Sequence, residues 1–337
     1  IKEGEDWMSL FSSFDKHPIG AASIGQVHRA TLIPELGGNE VAVKIQYPGV
    51  SESIDTDIES LLTLLRFFKA MPKGAYLENT LEYARKELKY ECDYIHEAQN
   101  QQRYNEDNIL KNPRYADSVH IPHVFADLST KNVLITEWIE NGLPINEHMA
   151  IYNSIMSQHE RNRLTQLVFE LSIREIFDFR FVQTDPNFAN YFISPDGMLH
   201  MIDFGNCLEL SPSFVKEYFN IVYGAATNND ELIIAASQKL GFLTGAESKT
   251  MLEAHCGAAK IVAMPFLHEE HEEFDFRDNH MITSNVKKQL PIMLRERLTP
   301  PPTETYAIHR KLSGMYLMCA QIGGKISTRS LLEDMKE

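Results

Sequence analysis

Two stretches in the second half of the chain decide the predicted fold: Thr184-Asp-Pro-Asn-Phe-Ala-Asn190 and Ile202-Asp-Phe-Gly205. Asp185 precedes Asn190 by five residues, and Asp203 follows Asp185 by eighteen. Carboxylate and amide oxygens are hard ligands that suit Mg²⁺ beside phosphates, and a carboxylate can also accept a proton from an attacking oxygen or orient it. The pattern therefore predicts that Asn190 and Asp203 hold a metal ion and that Asp185 acts on the attacking group.

The spacing D-x-x-x-x-N followed by D-F-G is that of the catalytic and metal-binding loops of protein kinases, although D-F-G alone also suits an ordinary turn. Upstream, Val41-Ala-Val-Lys44 places a lysine in an apolar strand, where kinases use one to reach the α and β phosphates. Lys44 could equally be a solubility lysine of an edge strand. A buried lysine requires a carboxylate partner, and Glu91, Asp93 and Glu97 are the candidates. Asp93 and Glu97, four residues apart, would share one helix face.

A glycine-containing loop precedes the strand that carries this lysine. Gly20-Ala-Ala-Ser-Ile-Gly-Gln-Val27 matches the kinase pattern G-x-G-x-x-G-x-V at Gly20, Gly25 and Val27 but has Ala22 at the central glycine. Such a loop needs small residues because its backbone amides approach phosphates closely. A plain turn between two strands would show the same pattern, so the loop gains weight only from the elements that follow it.

Five elements therefore stand in the kinase order: the loop, the strand lysine, the helix carboxylate, D-x-x-x-x-N and D-F-G. This order predicts a bilobal α+β fold of the protein-kinase type, with a small β-rich N-lobe carrying inserted helices at 1–140 and a larger helical C-lobe at 141–337. Nucleotide contacts are assigned to Gly20, Ala21, Ala22, Ser23, Gly25, Val27, Lys44, Glu137 and Ile139.

Hydrophobic periodicity predicts the individual elements, because strands alternate every two residues and helices repeat every three to four. The predicted strands are 26–32 and 41–46, paired as a hairpin, and 121–126 and 132–139; the predicted helices include 53–68, 77–104 and 161–177. Ser211-Pro212 predicts a helix start, since serine caps a helix and proline suits its first position.

Composition limits the class of protein. The 337 residues are 43% apolar with a net charge of −15, which predicts a folded chain and argues against a nucleic-acid-binding surface. Four cysteines without a C-x-x-C pair point to a reducing compartment. No run reaches the roughly 18 apolar residues of a spanning helix. The acidic stretch with His268, His271 and His280 is expected to be a solvated loop rather than a metal site.

The motifs resemble the UbiB family of atypical kinase-like proteins, particularly its mitochondrial coenzyme Q biosynthesis members, over nearly the whole chain. Beyond the alanine-rich loop and the Asp185 motif, the likeness rests on the E-x-D element Glu91-Cys-Asp93, on Glu97 after it, and on the terminal His309-Arg-Lys-Leu-Ser-Gly314. The resemblance implies that Glu97 is the partner of the strand lysine.

The resemblance also implies that Asp185 is the catalytic-loop acid and that Asn190 and Asp203 bind Mg²⁺ with ATP or ADP. It implies a mitochondrial protein on the matrix side of the inner membrane. The expected partners are a lipid or quinone precursor, the membrane surface and a coenzyme Q biosynthesis protein complex. Because the chain begins at Ile1 rather than Met, we expect a trimmed or processed product whose targeting segment lies outside the printed sequence.

In this family Glu91 and Asp93 are expected to contact an N-terminal K-x-G-Q extension that covers the active site. The printed sequence contains no K-x-G-Q, so we expect that extension to lie outside it. The residues after Gly205 run within a few positions into helical composition, which leaves little room for a peptide-docking activation segment. The expected function is a Mg²⁺-dependent ATPase or a small-molecule or lipid kinase. A non-catalytic nucleotide-binding regulator is the alternative that Ala22 motivates, and a true protein kinase is disfavoured.

Overall fold

The computed structural model describes residues 7–22, 24–67, 76–267, 272–277, 289 and 291–336. Its helices are α1 (Val50–Phe67), α2 (Leu77–Glu91), α3 (Tyr94–Tyr104), α4 (Pro113–Ala116), α5 (Ile145–Tyr152), α6 (Gln158–Arg174), α7 (Pro212–Ala226), α8 (Asp230–Leu240), α9 (Lys249–Val262), α10 (Glu304–Ile322) and α11 (Arg329–Asp334). Its strands are β1 (Phe11–Phe14), β2 (Gly20–Ala21), β3 (Gly25–Leu32), β4 (Glu40–Gln46), β5 (Val119–His120), β6 (Val133–Glu137), β7 (Leu143–Pro144), β8 (Phe181–Gln183), β9 (Tyr191–Ile193), β10 (Leu199–Met201), β11 (Cys207–Glu209), β12 (Phe274–Asp275) and β13 (Lys325–Ile326).

The chain divides into two compact units. The first consists of Ile1–Leu64, Leu81–Ile145 and Ala189–Cys207, and the second of Leu65–Thr80, Asn146–Phe188 and Leu208–Glu337. The predicted metal-binding residues Asn190 and Asp203 thus belong to the first unit together with Lys44, whereas Asp185 belongs to the second. The lobe boundary between 140 and 141 stays a prediction.

The first unit is built on an antiparallel sheet in the order β1-β3-β4-β6, with β2 beside β3. The predicted hairpin is confirmed as the pair β3 and β4, in which Val27 lies opposite Lys44. Val41 and Val43 of β4 are buried in an apolar cluster with Ile135 of β6. Because successive side chains of a strand point to opposite faces, Lys44 lies on the other face of the sheet.

Helices cover that other face. α1 buries Ile54, Ile58 and Leu62, spaced four residues apart, in a cluster that also contains Tyr94 of α3 and Leu134 of β6. A spacing of four keeps these side chains on one stripe of the helix, as the sequence predicts. This packing brings α3 to the face of the sheet that carries the lysine.

A break divides the predicted single helix 77–104 into α2 and α3. Asp93 has an extended backbone, and its carboxylate accepts the N–H groups of Ile95 at 3.1 Å and His96 at 3.2 Å. A side chain that satisfies the free N–H groups of a first turn starts a new helix. The prediction that Asp93 shares a helix face with Glu97 is therefore wrong, because Asp93 is the N-cap of the helix that bears Glu97.

The predicted strand 121–126 is also wrong. The described structure has only β5 ahead of it and an isolated bridge between Val124 and Thr136. Pro122 explains the difference, since proline lacks the N–H group that a central strand donates. β5 instead joins a second sheet in the order β5-β10-β9-β7. In it β9 and β10 span the segment between Asn190 and Asp203.

In the second unit α6 packs against α10, and α7 packs against α8 and α9. The predicted helix 161–177 is confirmed as α6, which continues into a wider π turn at Glu175–Phe179. Ser211 caps α7 as predicted, with its hydroxyl accepting the N–H of Phe214 at 3.2 Å. Within the described part of the chain, no helix combines the length and apolar character needed to cross a membrane.

Candidate nucleotide and metal site

An ion pair joins the predicted lysine and one of its three candidate partners. The ammonium of Lys44 lies 2.9 Å from Oε1 and 3.0 Å from Oε2 of Glu97. The Glu97 side chain is 2% exposed and that of Lys44 is 16% exposed. The pair therefore sits in the protein interior, where a charged group requires a partner. The alternative of an edge-strand solubility lysine is excluded, because β4 lies between β3 and β6.

The same ammonium also contacts the D-F-G aspartate. Lys44 Nζ lies 3.3 Å from Oδ2 of Asp203, and the other oxygen, Oδ1, accepts the N–H of Gly205 at 3.4 Å. Asp203 adopts a positive φ of 64°, a conformation that non-glycine residues rarely take. Such a backbone, held at a site of converging charges, is typical of functional loops.

Asn190 is tied to this loop through the backbone. The N–H of Ile202 donates to the Asn190 carbonyl at 3.0 Å, so the residue that precedes Asp203 is bonded to the predicted amide ligand. Asn190 ends a short 3-10 turn, Phe188–Asn190, and its side chain is buried. Within the first unit the structure thus brings together Lys44, Glu97, Asn190 and Asp203.

The electrostatics of the cluster favour a permanently charged lysine. Burial lowers the pKa of Lys44, but the carboxylates of Asp203 and Glu97 outweigh burial and raise it overall. Burial raises the pKa of Glu97, and Lys44 opposes part of that rise. The Lys44 ammonium thus lies between the carboxyl groups of Glu97 and Asp203.

Tyr94, which the sequence did not single out, makes a cation–π contact with Lys44. The Lys44 ammonium lies 5.0 Å from the centre of the Tyr94 ring, and Tyr94 is fully buried. A cation over an aromatic face gains additional stabilisation. Tyr94 follows the Asp93 cap directly, but neither its spacing nor its type distinguishes it in the sequence from a core tyrosine.

The predicted phosphate loop forms a tight hairpin between β2 and β3. Gly20 lies opposite Val27, and Ala22 donates its N–H to the Gly25 carbonyl at 2.8 Å. A Cβ on Gly25 would overlap the Ile45 carbonyl oxygen, so close strand packing requires this glycine. A Cβ on Gly20 would meet nothing within 4 Å. Gly20 and Ala21 are both exposed, and Ser23 lies outside the described residues.

The E-x-D residues both have local roles. The carboxylate of Glu91 accepts a hydrogen bond from the side-chain amide of Asn206, the residue after D-F-G. Asp93 caps α3, as described above. Asn100 of α3 adds a hydrogen bond at 3.0 Å to the Phe204 carbonyl. The helix that carries Glu97 is thus bonded to the D-F-G loop, a relationship that spacing alone did not reveal.

Glu137 is one of the predicted nucleotide contacts, and its carboxylate is bound by neighbouring residues. Its Oε2 lies 2.9 Å from Nε2 of His120 and accepts the N–H of His123 at 3.0 Å. The His120 ring stands edge-on to that of His200 at 5.3 Å. Ile139 is half-buried beside Gly142. The Glu137 carboxylate is therefore occupied by two neighbouring histidine residues.

Asp185 follows β8 in the second unit. Its backbone carbonyl accepts the side-chain amide of Gln183 at 2.9 Å. His268, His271 and His280 lie outside the described residues. Among the residues that are described, no three His, Cys, Asp or Glu side chains converge as a protein-only metal site requires. Mg²⁺ needs no such cage, because it is normally held by one or two carboxylates together with substrate phosphates and water.

A strand lysine paired with a helix glutamate, beside a D-F-G aspartate, defines a protein-kinase-like protein. Residues 2–237 match the ABC1 atypical kinase-like domain. The chain therefore belongs to the ABC1, or UbiB, family of atypical kinases, and the predicted resemblance and the predicted kinase-like α+β fold are confirmed.

Similar proteins extend across almost the whole chain. The "Atypical kinase COQ8, mitochondrial" of Schizosaccharomyces pombe is 40% identical over 98% of this chain and 52% of its own length. The "Atypical kinase COQ8B, mitochondrial" of Danio rerio is 37% identical over 98% of this chain and 51% of its own length. The "Atypical kinase COQ8, mitochondrial" of Saccharomyces cerevisiae is 37% identical over 98% of this chain and 64% of its own length. The chain thus spans about half to two thirds of these relatives.

A solved structure shares the fold. The complex of Rv3197 with erythromycin from Mycobacterium tuberculosis matches with a TM-score of 0.71 and 26% sequence identity, over 98% of this chain and 79% of that one. The fold assignment therefore rests on both sequence and structural similarity.

Proposed function

We propose that this chain is a Mg²⁺-dependent, ATP-binding atypical kinase-like ATPase that supports coenzyme Q biosynthesis. The observation that carries the proposal is the placement of the Lys44 ammonium between the carboxylates of Glu97 and Asp203. That arrangement fixes the Lys44 ammonium, which could then bind nucleotide phosphates. It also leaves the Asp203 side chain partly exposed, so that it could bind a metal ion. The names of the similar yeast and zebrafish proteins support the assignment to coenzyme Q biosynthesis and to mitochondria.

The donor set fits a nucleotide-bound Mg²⁺. Asp203 offers a carboxylate on a strained loop, and Asn190 offers an amide oxygen bonded to the same loop through the backbone. When bound, the metal ion supplies neutralisation of phosphate charge. Lys44 contributes a second positive charge, and Glu97 keeps the lysine directed at the phosphates. Gly20 to Val27, Glu137 and Ile139 are proposed to line the nucleotide through their backbone and small side chains.

Asp185 is proposed to accept the proton of the attacking group or to orient it. Water is the proposed acceptor, because α7 begins at Pro212, only seven residues after Gly205. These few residues are too short a stretch to form the activation segment on which a protein kinase binds its peptide substrate. The same reasoning separates the proposed ATPase from a conventional protein kinase.

Phosphate release from ATP by the purified protein, with Mg²⁺ and with or without lipid vesicles, tests the proposal. We expect Asp185→Asn to lower turnover by about 100- to 10,000-fold but to leave a measurable residual activity. Asp203→Asn should abolish turnover, while Asp117→Asn, at an exposed position, leaves it unchanged. Asp185→Asn should retain the rise in melting temperature that ATP and Mg²⁺ cause, since a ligand that binds only the folded state stabilises it. Equal support of coenzyme Q biosynthesis by Asp185→Asn and the parent protein in a functional assay, with nucleotide binding intact, would favour a non-catalytic regulator instead.

Location and partners follow from the same proposal. We place the protein on the matrix side of the mitochondrial inner membrane, in contact with a lipid or quinone precursor and with a coenzyme Q biosynthesis complex. The net charge of −15 gives no broad attraction to anionic lipid, so membrane contact would be local and apolar. Flotation of the protein with neutral and anionic vesicles tests this point: equal recovery with both supports an apolar contact, and recovery only with anionic vesicles contradicts it.

A further inference from the structure

Three residues of helix α10 contact the segment around Asp185, and the proposed mechanism gives these contacts no role. We infer that Arg310, Lys311 and Gly314 of α10 are positioning residues that hold the Asp185 loop in its working geometry. The inference rests on the proposed function of Asp185 as the catalytic-loop acid. All of these residues belong to the second unit.

Arg310 binds the residue immediately before Asp185. Its Nε donates to the Thr184 carbonyl at 3.0 Å, and its Nη2 donates to the Thr184 hydroxyl at 3.3 Å. Thr184 is buried, so its polar groups depend on protein partners. Because a guanidinium is planar and presents its donors in a fixed fork, two bonds to one residue restrict both position and orientation.

Lys311 reaches the same loop from the interior. Its ammonium lies 2.5 Å from the Glu175 carboxylate, and the two side chains are 1% and 0% exposed. A longer contact of 3.5 Å joins the ammonium to Oε1 of Gln183, whose amide in turn donates to the Asp185 carbonyl. A buried ion pair contributes little net stability, since desolvation offsets the attraction. The pair is better explained by the geometry that it imposes on Gln183 and Asp185.

Gly314 allows the helix to approach the residue after Asp185. A Cβ at this position would overlap the ring of Pro186 and would lie 3.0 Å from its carbonyl oxygen. Glycine inside a helix is less favourable than alanine. Its presence within α10 is therefore explained by the close packing of Pro186. Residues on both sides of Asp185 are thus held by one helix.

These contacts reach the residues flanking Asp185 rather than any reacting atom, so their effect on turnover would pass through Asp185. Displacement of a catalytic group by about 1 Å can reduce turnover on the order of a hundredfold. Nucleotide binding, which is proposed to depend on Lys44 and Asp203 of the first unit, should not change. This separation of turnover from binding distinguishes positioning from a general loss of folding.

The experiment measures kcat and KM for ATP with Mg²⁺, together with the nucleotide-induced rise in melting temperature, for Arg310→Gln and Gly314→Ala. Ser313→Ala, at an exposed position of the same helix, is the matched control. We expect kcat to fall about 10- to 100-fold in both variants, with KM and the nucleotide-induced shift unchanged. If Gly314→Ala does not fold, the kcat of Arg310→Gln tests the inference alone. Arg310 lies at an exposed helix position, so we expect its substitution to leave the protein folded.

Each substitution is then repeated in the Asp185→Asn protein. Residues that act through Asp185 should cause no further loss of kcat there. Losses that add to that of Asp185→Asn, or kcat values equal to the Ser313→Ala control, would overturn the inference while the proposed function stands. Unchanged turnover in Asp185→Asn itself would instead overturn the proposed role of Asp185, and this inference with it.

Discussion

The Lys44 ammonium lies 3.3 Å from the carboxylate of Asp203, 159 positions along the chain. It also pairs with Glu97, so one cation bridges a helix carboxylate and the carboxylate predicted to bind metal. A metal ion bound at Asp203 would take over part of the neutralisation that Lys44 provides. Nucleotide and metal binding should therefore redistribute contacts that the protein already makes.

Removal of this lysine should affect both stability and binding. Lys44→Met leaves Glu97 buried without its cation, and breaking a buried pair typically costs about 3–5 kcal/mol. We expect a lower free energy of unfolding of this order in urea denaturation and loss of the nucleotide-induced rise in melting temperature. Lys16→Met, at an exposed position of the same unit, should change neither. A full nucleotide-induced shift in Lys44→Met would contradict the assigned phosphate contact.

The two acidic residues of the E-x-D element should be separable. Asp93→Ala removes the N-cap of α3 and should lower the free energy of unfolding by about 1 kcal/mol, whereas Asp93→Asn retains an acceptor and most of the stability. Glu91→Gln leaves the cap intact and changes the contact with Asn206. Urea denaturation of the three variants distinguishes these roles. Equal stability of Asp93→Ala and Asp93→Asn would show that the capping bonds contribute nothing.

Substitution by alanine should have different effects on stability at the two loop glycines, Gly20 and Gly25. Gly25→Ala drives a methyl group into the Ile45 backbone and should unfold or strongly destabilise the sheet, since overpacking commonly costs about 1–3 kcal/mol. Gly20→Ala meets open space and should leave the melting temperature of the free protein unchanged. Any effect of Gly20→Ala should appear only with nucleotide. Thermal unfolding with and without ATP and Mg²⁺ checks both, and equal destabilisation of the free protein by the two changes would refute this distinction.

The pair of His120 and Glu137 should make stability depend on pH. The hydrogen bond to Glu137 raises the pKa of His120 above 6.5, and the same bond lowers the pKa of Glu137 below 4.5. The histidine contribution is complete below pH 6.5 and is lost as pH rises through the raised pKa. The carboxylate contribution is present above pH 4.5 and is lost as pH falls through the lowered pKa. The pair therefore stabilises the fold most between these two values.

An NMR titration of the His120 ring measures the shift directly. Glu137→Gln should return the pKa of His120 toward its ordinary value. His200, whose pKa is lowered by burial and by the neighbouring His120, serves as an internal comparison and should titrate below 6.5. An unchanged His120 titration in Glu137→Gln would mean that the pair does not control this pKa.

Local patterns predicted much of the fold. Alternation of apolar residues identified the hairpin of β3 and β4, and a spacing of four identified the buried stripe of α1. Both signals arise within one element, so the sequence contains them directly. The break at Asp93 was missed because its flanks are all helix-compatible, and the capping role of an aspartate becomes visible only when its N–H partners are known.

The order of the motifs by itself determined the family, the kinase-like fold and the residue types of the site, because those depend on spacing and side-chain chemistry. The resemblance already implied Glu97 as the partner of Lys44, and the structure brings the two side chains together. Only the tertiary structure decided that Tyr94 lies beneath Lys44 and that Gly25 serves strand packing. These relationships join residues on different elements. They are set by how β4 and α3 pack, which no local pattern in the chain specifies.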